Sequence, residues 1–136
     1  MDQLRVPRMW RETPQHYRLE ASRCLSCSEI YFPPRTVCNK CKSKNIENVN
    51  LPRRGTIETF TVIRIASPKY QVYVPYGVAL VKLENGVKIL SQLTDCETGS
   101  LKIGMPVEAV IRKLYDDGED GVIHYGFKFR PVALPE

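Results

Sequence analysis

Residues 24–41, CLSCSEIYFPPRTVCNKC, place two Cys-x-x-Cys pairs ten residues apart: Cys24 with Cys27, and Cys38 with Cys41. No other feature restricts the fold as strongly. Each pair presents two sulfurs from one tight turn, and the spacer lets a short hairpin bring the second turn across to the first, which suits a tetrahedral zinc ion. A segment this short buries little apolar surface, whereas structural zinc contributes on the order of 10 kcal/mol to the folding of small peptides. Four sulfurs fill the coordination sphere and leave no position for an activated water, so the expected role is structural. Iron accepts the same four sulfurs and stays open as the metal. Knuckles of this kind often carry Gly after the second cysteine, where φ is positive; here those positions hold Ser28 and Lys42.

Two other uses of cysteine fit less well. A thioredoxin-like redox pair belongs at a strand-to-helix junction, and both pairs here lie among strand and turn signals. Disulfides need an oxidising compartment. The N-terminal MDQLRVPRMWRE is charged throughout, no run approaches the length of a membrane span, and the fifth cysteine, Cys96, makes the count odd. These features predict a soluble, cytoplasmic protein whose thiols hold a metal.

The net charge is +5, and the excess is uneven. Residues 1–50 carry nine Lys/Arg against five Asp/Glu, and residues 51–136 eleven against ten. A basic first third suits phosphate-bearing ligands, acidic protein surfaces or nucleic acid, and charge alone does not choose among them.

Along the chain, residues 1–16 read as a helical arm. Pro7 suits a first helical position, Met9 and Trp10 offer an apolar contact, and Thr13-Pro14 reads as a stop and a new start. From Tyr17 the pattern alternates, with Tyr17, Leu19 and Ala21 on one side, as for a strand entering the cysteine module, which spans 17–52. The remainder, 53–136, is a series of short strands: Thr56 to Ile65, Val78 to Leu83, Val87 to Leu93, Val107 to Leu114 and Val122 to Arg130. Glu84-Asn85-Gly86 is a strong hairpin signal between the second and third. In the last strand, Ile123, Tyr125, Phe127 and Phe129 are expected on the buried face, with His124, Gly126, Lys128 and Arg130 on the wet face. Five strands with glycines at bends predict a mostly β chain ending in a small closed barrel of OB type, because closure removes unpaired edges.

A resemblance joins these pieces. Arg23-Cys24, Phe32-Pro33-Pro34-Arg35 before Cys38 and Cys41, the run Pro75-Tyr76-Gly77-Val78-Ala79-Leu80-Val81, and the closing Tyr125-Gly126-Phe127-Lys128-Phe129-Arg130-Pro131 resemble a prokaryotic domain-of-unknown-function family. That family joins a rubredoxin-like zinc ribbon to an OB-fold and associates with acyl-CoA enzymes. The chain departs from it at Ser28, where Gly is common, and at Asn39, where Pro is frequent. The resemblance implies a non-catalytic partner of thiolase-like enzymes, of the kind found beside acetoacetyl-CoA thiolase and hydroxymethylglutaryl-CoA synthase, that helps hold the CoA moiety.

Beside that, no residues form a constellation for acyl chemistry. His16 and His124 are the only histidines, and Cys96 has Asp95 and Glu97 as neighbours, which should raise its pKa. The acidic run Asp116 to Gly121 lacks the spacing of a calcium loop and reads as a hairpin tip. The loop after the first barrel strand carries Lys69, Tyr70, Tyr73 and Tyr76, flat amphipathic rings and a cation suited to an adenine ring with a phosphate, or to a partner surface. Arg53 and Arg54, with Arg5, Arg8 and Arg11 of the arm, are candidates for CoA phosphates because guanidinium pairs bidentately with them. The competing function is single-stranded nucleic-acid binding, which ribbons and OB-folds also perform; the near-neutral barrel argues against it.

Overall fold

The computed structural model describes residues 6–116 and 118–132. The chain divides into two compact units, 1–52 and 53–136. In the first, helices α1 (Val6–Arg11) and α2 (Thr13–Arg18) precede a three-stranded antiparallel sheet of β1 (Glu20–Cys24), β2 (Ile30–Tyr31) and β3 (Ile46–Asn50), in the order β2-β1-β3. Thr13-Pro14 does separate two helices. Thr13 Oγ1 donates to the Trp10 carbonyl at 2.8 Å, and Pro14 fits the first turn of α2, where no amide is needed.

Two expectations for this region need correction. The strand does not begin at Tyr17: α2 runs to Arg18 and is closed by Leu19, whose φ of 52° and whose backbone N–H, donating to the Pro14 carbonyl, end the helix. Leu19 is buried, so its apolar side chain reads as part of a strand pattern, although its backbone forms a left-handed cap. Trp10, expected to offer an apolar contact, is 80% exposed. Leu19, Ala21 and Leu51 are the fully buried hydrophobic residues of the first unit besides two of the cysteines, among the described residues.

The second unit is a five-stranded antiparallel sheet of β4 (Arg54–Ile63), β5 (Tyr76–Leu83), β6 (Lys88–Gln92), β7 (Pro106–Asp116) and β8 (Ile123–Pro131), ordered β6-β5-β4-β7-β8. A parallel bridge between Leu93 and Phe129, with the Thr94 amide on the Phe129 carbonyl at 2.9 Å, nearly closes it into an OB barrel. The hairpin at residues 84–86 forms as expected: Gly86 has φ 88°, and Asn85 Oδ1 accepts the Val87 amide. Gly55 permits the close approach of β4 to β5, since a Cβ there would lie 2.5 Å from the Lys82 carbonyl oxygen. Ile57, Val81, Val107 and Phe129 are the largest fully buried barrel side chains.

The faces of β8 are not those its polarity predicts. His124, Gly126 and Lys128 are buried, whereas Ile123 and Tyr125 are 47% and 42% exposed. Phe129 is inside as expected, so burial passes from one face to the other between Lys128 and Phe129. The cause is the cover each face finds. A bulge in β7 between Lys113 and Tyr115 leaves Leu114 without a partner, and its side chain fills the space over Gly126, where a Cβ would lie 2.8 Å from Leu114 Cδ1. Tyr115 stacks on His124 with ring centroids 4.4 Å apart, and Tyr73 covers the Lys128 ammonium at 4.3 Å. Aromatic cover makes burial of a polar side chain tolerable, and strict alternation does not register it.

Candidate functional site

The ribbon sulfurs come from two turns with the same backbone pattern. The Ser28 amide donates to the Cys24 carbonyl at 2.8 Å and the Lys42 amide to the Cys38 carbonyl at 3.1 Å; the Cys24 amide donates to Glu29 and the Cys38 amide to Ser43. Ser28 and Lys42 adopt φ of 63° and 60°. The knuckles therefore keep the left-handed residue without glycine, at a cost of roughly 1 to 2 kcal/mol each.

The four Sγ atoms lie within 4.8 Å of one another. Cys24 to Cys41 and Cys27 to Cys38 are 3.4 Å apart, and Cys27 to Cys41 is 3.7 Å. Zinc–sulfur bonds of ~2.3 Å imply edges of ~3.8 Å in a regular tetrahedron, so the donors fit zinc. As a free thiol, Cys38 is drawn down to about 6, by the Cys41 amide first and the Tyr31 hydroxyl second. Cys27 stands at about 12: the Glu29 amide pulls it down, but the Cys38 sulfur, burial and the Cys24 sulfur outweigh that pull. Tyr31 Oη lies 3.3 Å from Cys38 Sγ and accepts the Asn39 amide at 3.1 Å.

The second cluster lies on the barrel. Lys69 sits 4.3 Å over the Tyr115 ring, Tyr70 meets Tyr115 edge-on at 5.9 Å, and the Tyr73 hydroxyl donates to the Lys113 carbonyl. Lys69, Tyr73, Lys113, Tyr115 and Asp116 border a cleft of about 310 Å³. The structure thus gathers Lys69, Tyr70 and Tyr73. Tyr76 is paired with Ile63 in β5, near enough to Tyr70 to help raise its pKa after burial and Tyr115. Lys113 and Tyr115 were not singled out from the sequence, and His124 and Lys128 were expected on the wet face of the last strand. The bulge at Leu114 and the aromatic cover carried no signal there, and Lys128 between Phe127 and Phe129 fits a regular alternation. Burial first, and Arg112 second, lower the pKa of Lys128.

The arginines divide differently. Arg53 and Arg54 are exposed at the start of the barrel, where their carbonyls accept the amides of Ala109 and Glu84. Arg54 borders a cleft of about 470 Å³ with Lys82, Glu84 and Val107. Arg8 is exposed and paired with Glu12 at 2.9 Å, and Arg11 is exposed. Arg5 lies outside the described residues. The thiol of Cys96 is raised, by burial first and Asp95 second. Among the described residues no helix is long and apolar enough to cross a membrane.

Comparison with known proteins agrees with both units. The model of the ChsH2 rubredoxin-like zinc ribbon domain matches residues 11–47, and that of the ChsH2 C-terminal OB-fold domain residues 48–112. A DUF35 domain-containing scaffold protein of Methanothermobacter thermautotrophicus is 43% identical over 125 residues, covering 91% of this chain and 94% of that one. This chain belongs to the DUF35 family. A more distant relative, the benzoylsuccinyl-CoA thiolase subunit BbsA of Thauera aromatica, is 29% identical over 84% of this chain and 76% of its own. A solved chain of an Ltp2-ChsH2(DUF35) aldolase has the same fold, with a TM-score of 0.69, 24% identity, and coverage of 96% of this chain and 93% of that one.

Proposed function

We propose that this chain is a non-catalytic scaffold subunit that binds a thiolase-like enzyme of acyl-CoA metabolism and contacts the CoA moiety of its thioester. The observation that carries the reading is kinship across both units with chains named as a scaffold protein and as a thiolase subunit. The metal centre supports it from chemistry. When zinc is bound, four sulfurs satisfy it, so its contribution is to hold the ribbon in shape, leaving bond-making to a partner. The barrel supports it from recognition. Tyr73 borders the cleft with one ring face on Lys128, which leaves its other face for an adenine, and Lys69 at the cleft's edge offers a cation to phosphate. Arg53 and Arg54 are a second phosphate candidate, and Arg5, Arg8 and Arg11 remain candidates for the partner's surface.

A pull-down from native lysate tests the reading. Recovery of a thiolase-fold enzyme supports it, whereas recovery of RNA with steep salt dependence points to a nucleic-acid binder instead. Calorimetry with CoA then tests direct contact. Weaker binding by Arg53→Ala/Arg54→Ala or by Lys69→Ala assigns the phosphate to that position, and parent-like binding by both removes these residues from the proposal.

A further inference from the structure

The four ribbon sulfurs differ in their surroundings. Cys38 Sγ has the Tyr31 hydroxyl 3.3 Å away, besides the Cys27 sulfur at 3.4 Å, whereas Cys24 and Cys41 face each other at 3.4 Å and Cys27 faces Cys41 at 3.7 Å. Cys24 and Cys38 are buried, and Cys27 and Cys41 are exposed.

The direction of the Tyr31 bond follows from proton counting. A phenol oxygen has one proton to give. The Asn39 amide already donates into it at 3.1 Å, so the phenol proton is free to point at Cys38 Sγ, 3.3 Å away. A metal-bound thiolate has no proton to offer in return, so Tyr31 must be the donor. Asn39 can orient the hydroxyl because it has a backbone N–H, which proline at that position would lack. The Arg35 guanidinium lies 5.5 Å from the centre of the Tyr31 ring and adds a second restraint. A donor on sulfur withdraws charge from it and makes it a weaker nucleophile and a poorer proton acceptor.

We infer that Tyr31 is a positioning residue of the metal centre: its hydroxyl, aimed by the Asn39 amide, donates to the Cys38 thiolate and makes Cys38 the slowest of the four ligands to react, with exposed Cys27 and Cys41 the fastest. Tyr31 belongs to β2, inside the ten-residue spacer, and Cys38 to the knuckle after it, so the bond also ties the hairpin to the second turn.

The test uses the zinc-loaded full chain, iodoacetamide and mapping of alkylated peptides over time. In alkylation the thiolate attacks the methylene carbon, the S–C bond forms, and iodide leaves. The parent should lose Cys27 and Cys41 first and Cys38 last. Tyr31→Phe keeps the ring and removes the donor. It should bring Cys38 forward in the order and speed zinc release to a chelator about tenfold, the scale of one hydrogen bond to a charged group. Cadmium-loaded parent gives a readout that does not depend on the variant folding: a scalar coupling between the Tyr31 hydroxyl proton and NMR-active cadmium, relayed through Cys38 Sγ. Early alkylation of Cys38 in the parent, an unchanged order and release rate in Tyr31→Phe, or absence of that coupling where the amide couplings are seen, would each overturn the inference.

Discussion

The ribbon and the barrel are both antiparallel β structures, yet different forces hold them. The ribbon strands are five, two and five residues long, and few of its hydrophobic side chains are fully buried. Its two knuckles meet through sulfur. The barrel strands reach eleven residues, and its interior is filled by apolar side chains from all five strands and the connection at Leu101. The lesson is one of scale. A unit too small to bury enough surface needs a bonded centre, and one of about eighty residues can rely on burial.

Four measurements would break or sharpen that contrast. The largest effect should come from metal removal. Chelation of the full chain, or Cys38→Ser, should collapse the amide NMR signals of the ribbon and leave those of the barrel, because the zinc contribution is on the order of 10 kcal/mol. Loss of both sets together would refute the division of forces. Phe129→Ala should do the converse, costing the barrel about 3 to 5 kcal/mol in denaturant unfolding while zinc stays bound. Gly55→Ala should cost about 1 to 3 kcal/mol, since the added methyl meets the Lys82 backbone, which cannot move aside as a side chain would.

The smallest effect concerns Lys128. Its folded pKa is lowered by burial first and by Arg112 second, so the unfolded chain holds this proton more tightly than the folded one. Stability therefore rises with pH from the folded pKa up to the unfolded value, and below that window the buried charge is a constant cost. Lys128→Met should stabilise the barrel by about 1 kcal/mol at neutral pH, with the gain shrinking as the solution becomes alkaline. A destabilised variant at neutral pH would mean that the stacked ammonium contributes more than its burial costs.

Several features of this architecture are legible in the residues themselves. Two Cys-x-x-Cys pairs with a ten-residue spacer specify a metal tetrad wherever the chain brings them together, and Asn85-Gly86 specifies its turn through the φ that glycine permits. Thr13-Pro14 specifies a helix break by local chemistry. Other features depend on neighbours distant in sequence. The burial of Lys128 and His124 depends on Tyr73 and Tyr115, which lie on a loop and on another strand. Leu19 has the polarity of a strand residue, but its conformation is set by the end of α2. Ser28 and Lys42 are not residues that favour the left-handed region; they adopt it where their amides close each knuckle on the carbonyl of its first cysteine.

Sequence alone determined what is covalent or local: which side chains are metal donors, where the chain turns, and how much charge each of its two segments carries. Tertiary structure decided which face of β8 is inside, which tyrosines meet which lysines, and which sulfur receives a hydroxyl proton. The physical reason is that donor type and turn preference belong to single residues or short runs. Burial and hydrogen-bond direction belong to pairs of atoms that only the closed sheet and the folded hairpin bring within reach.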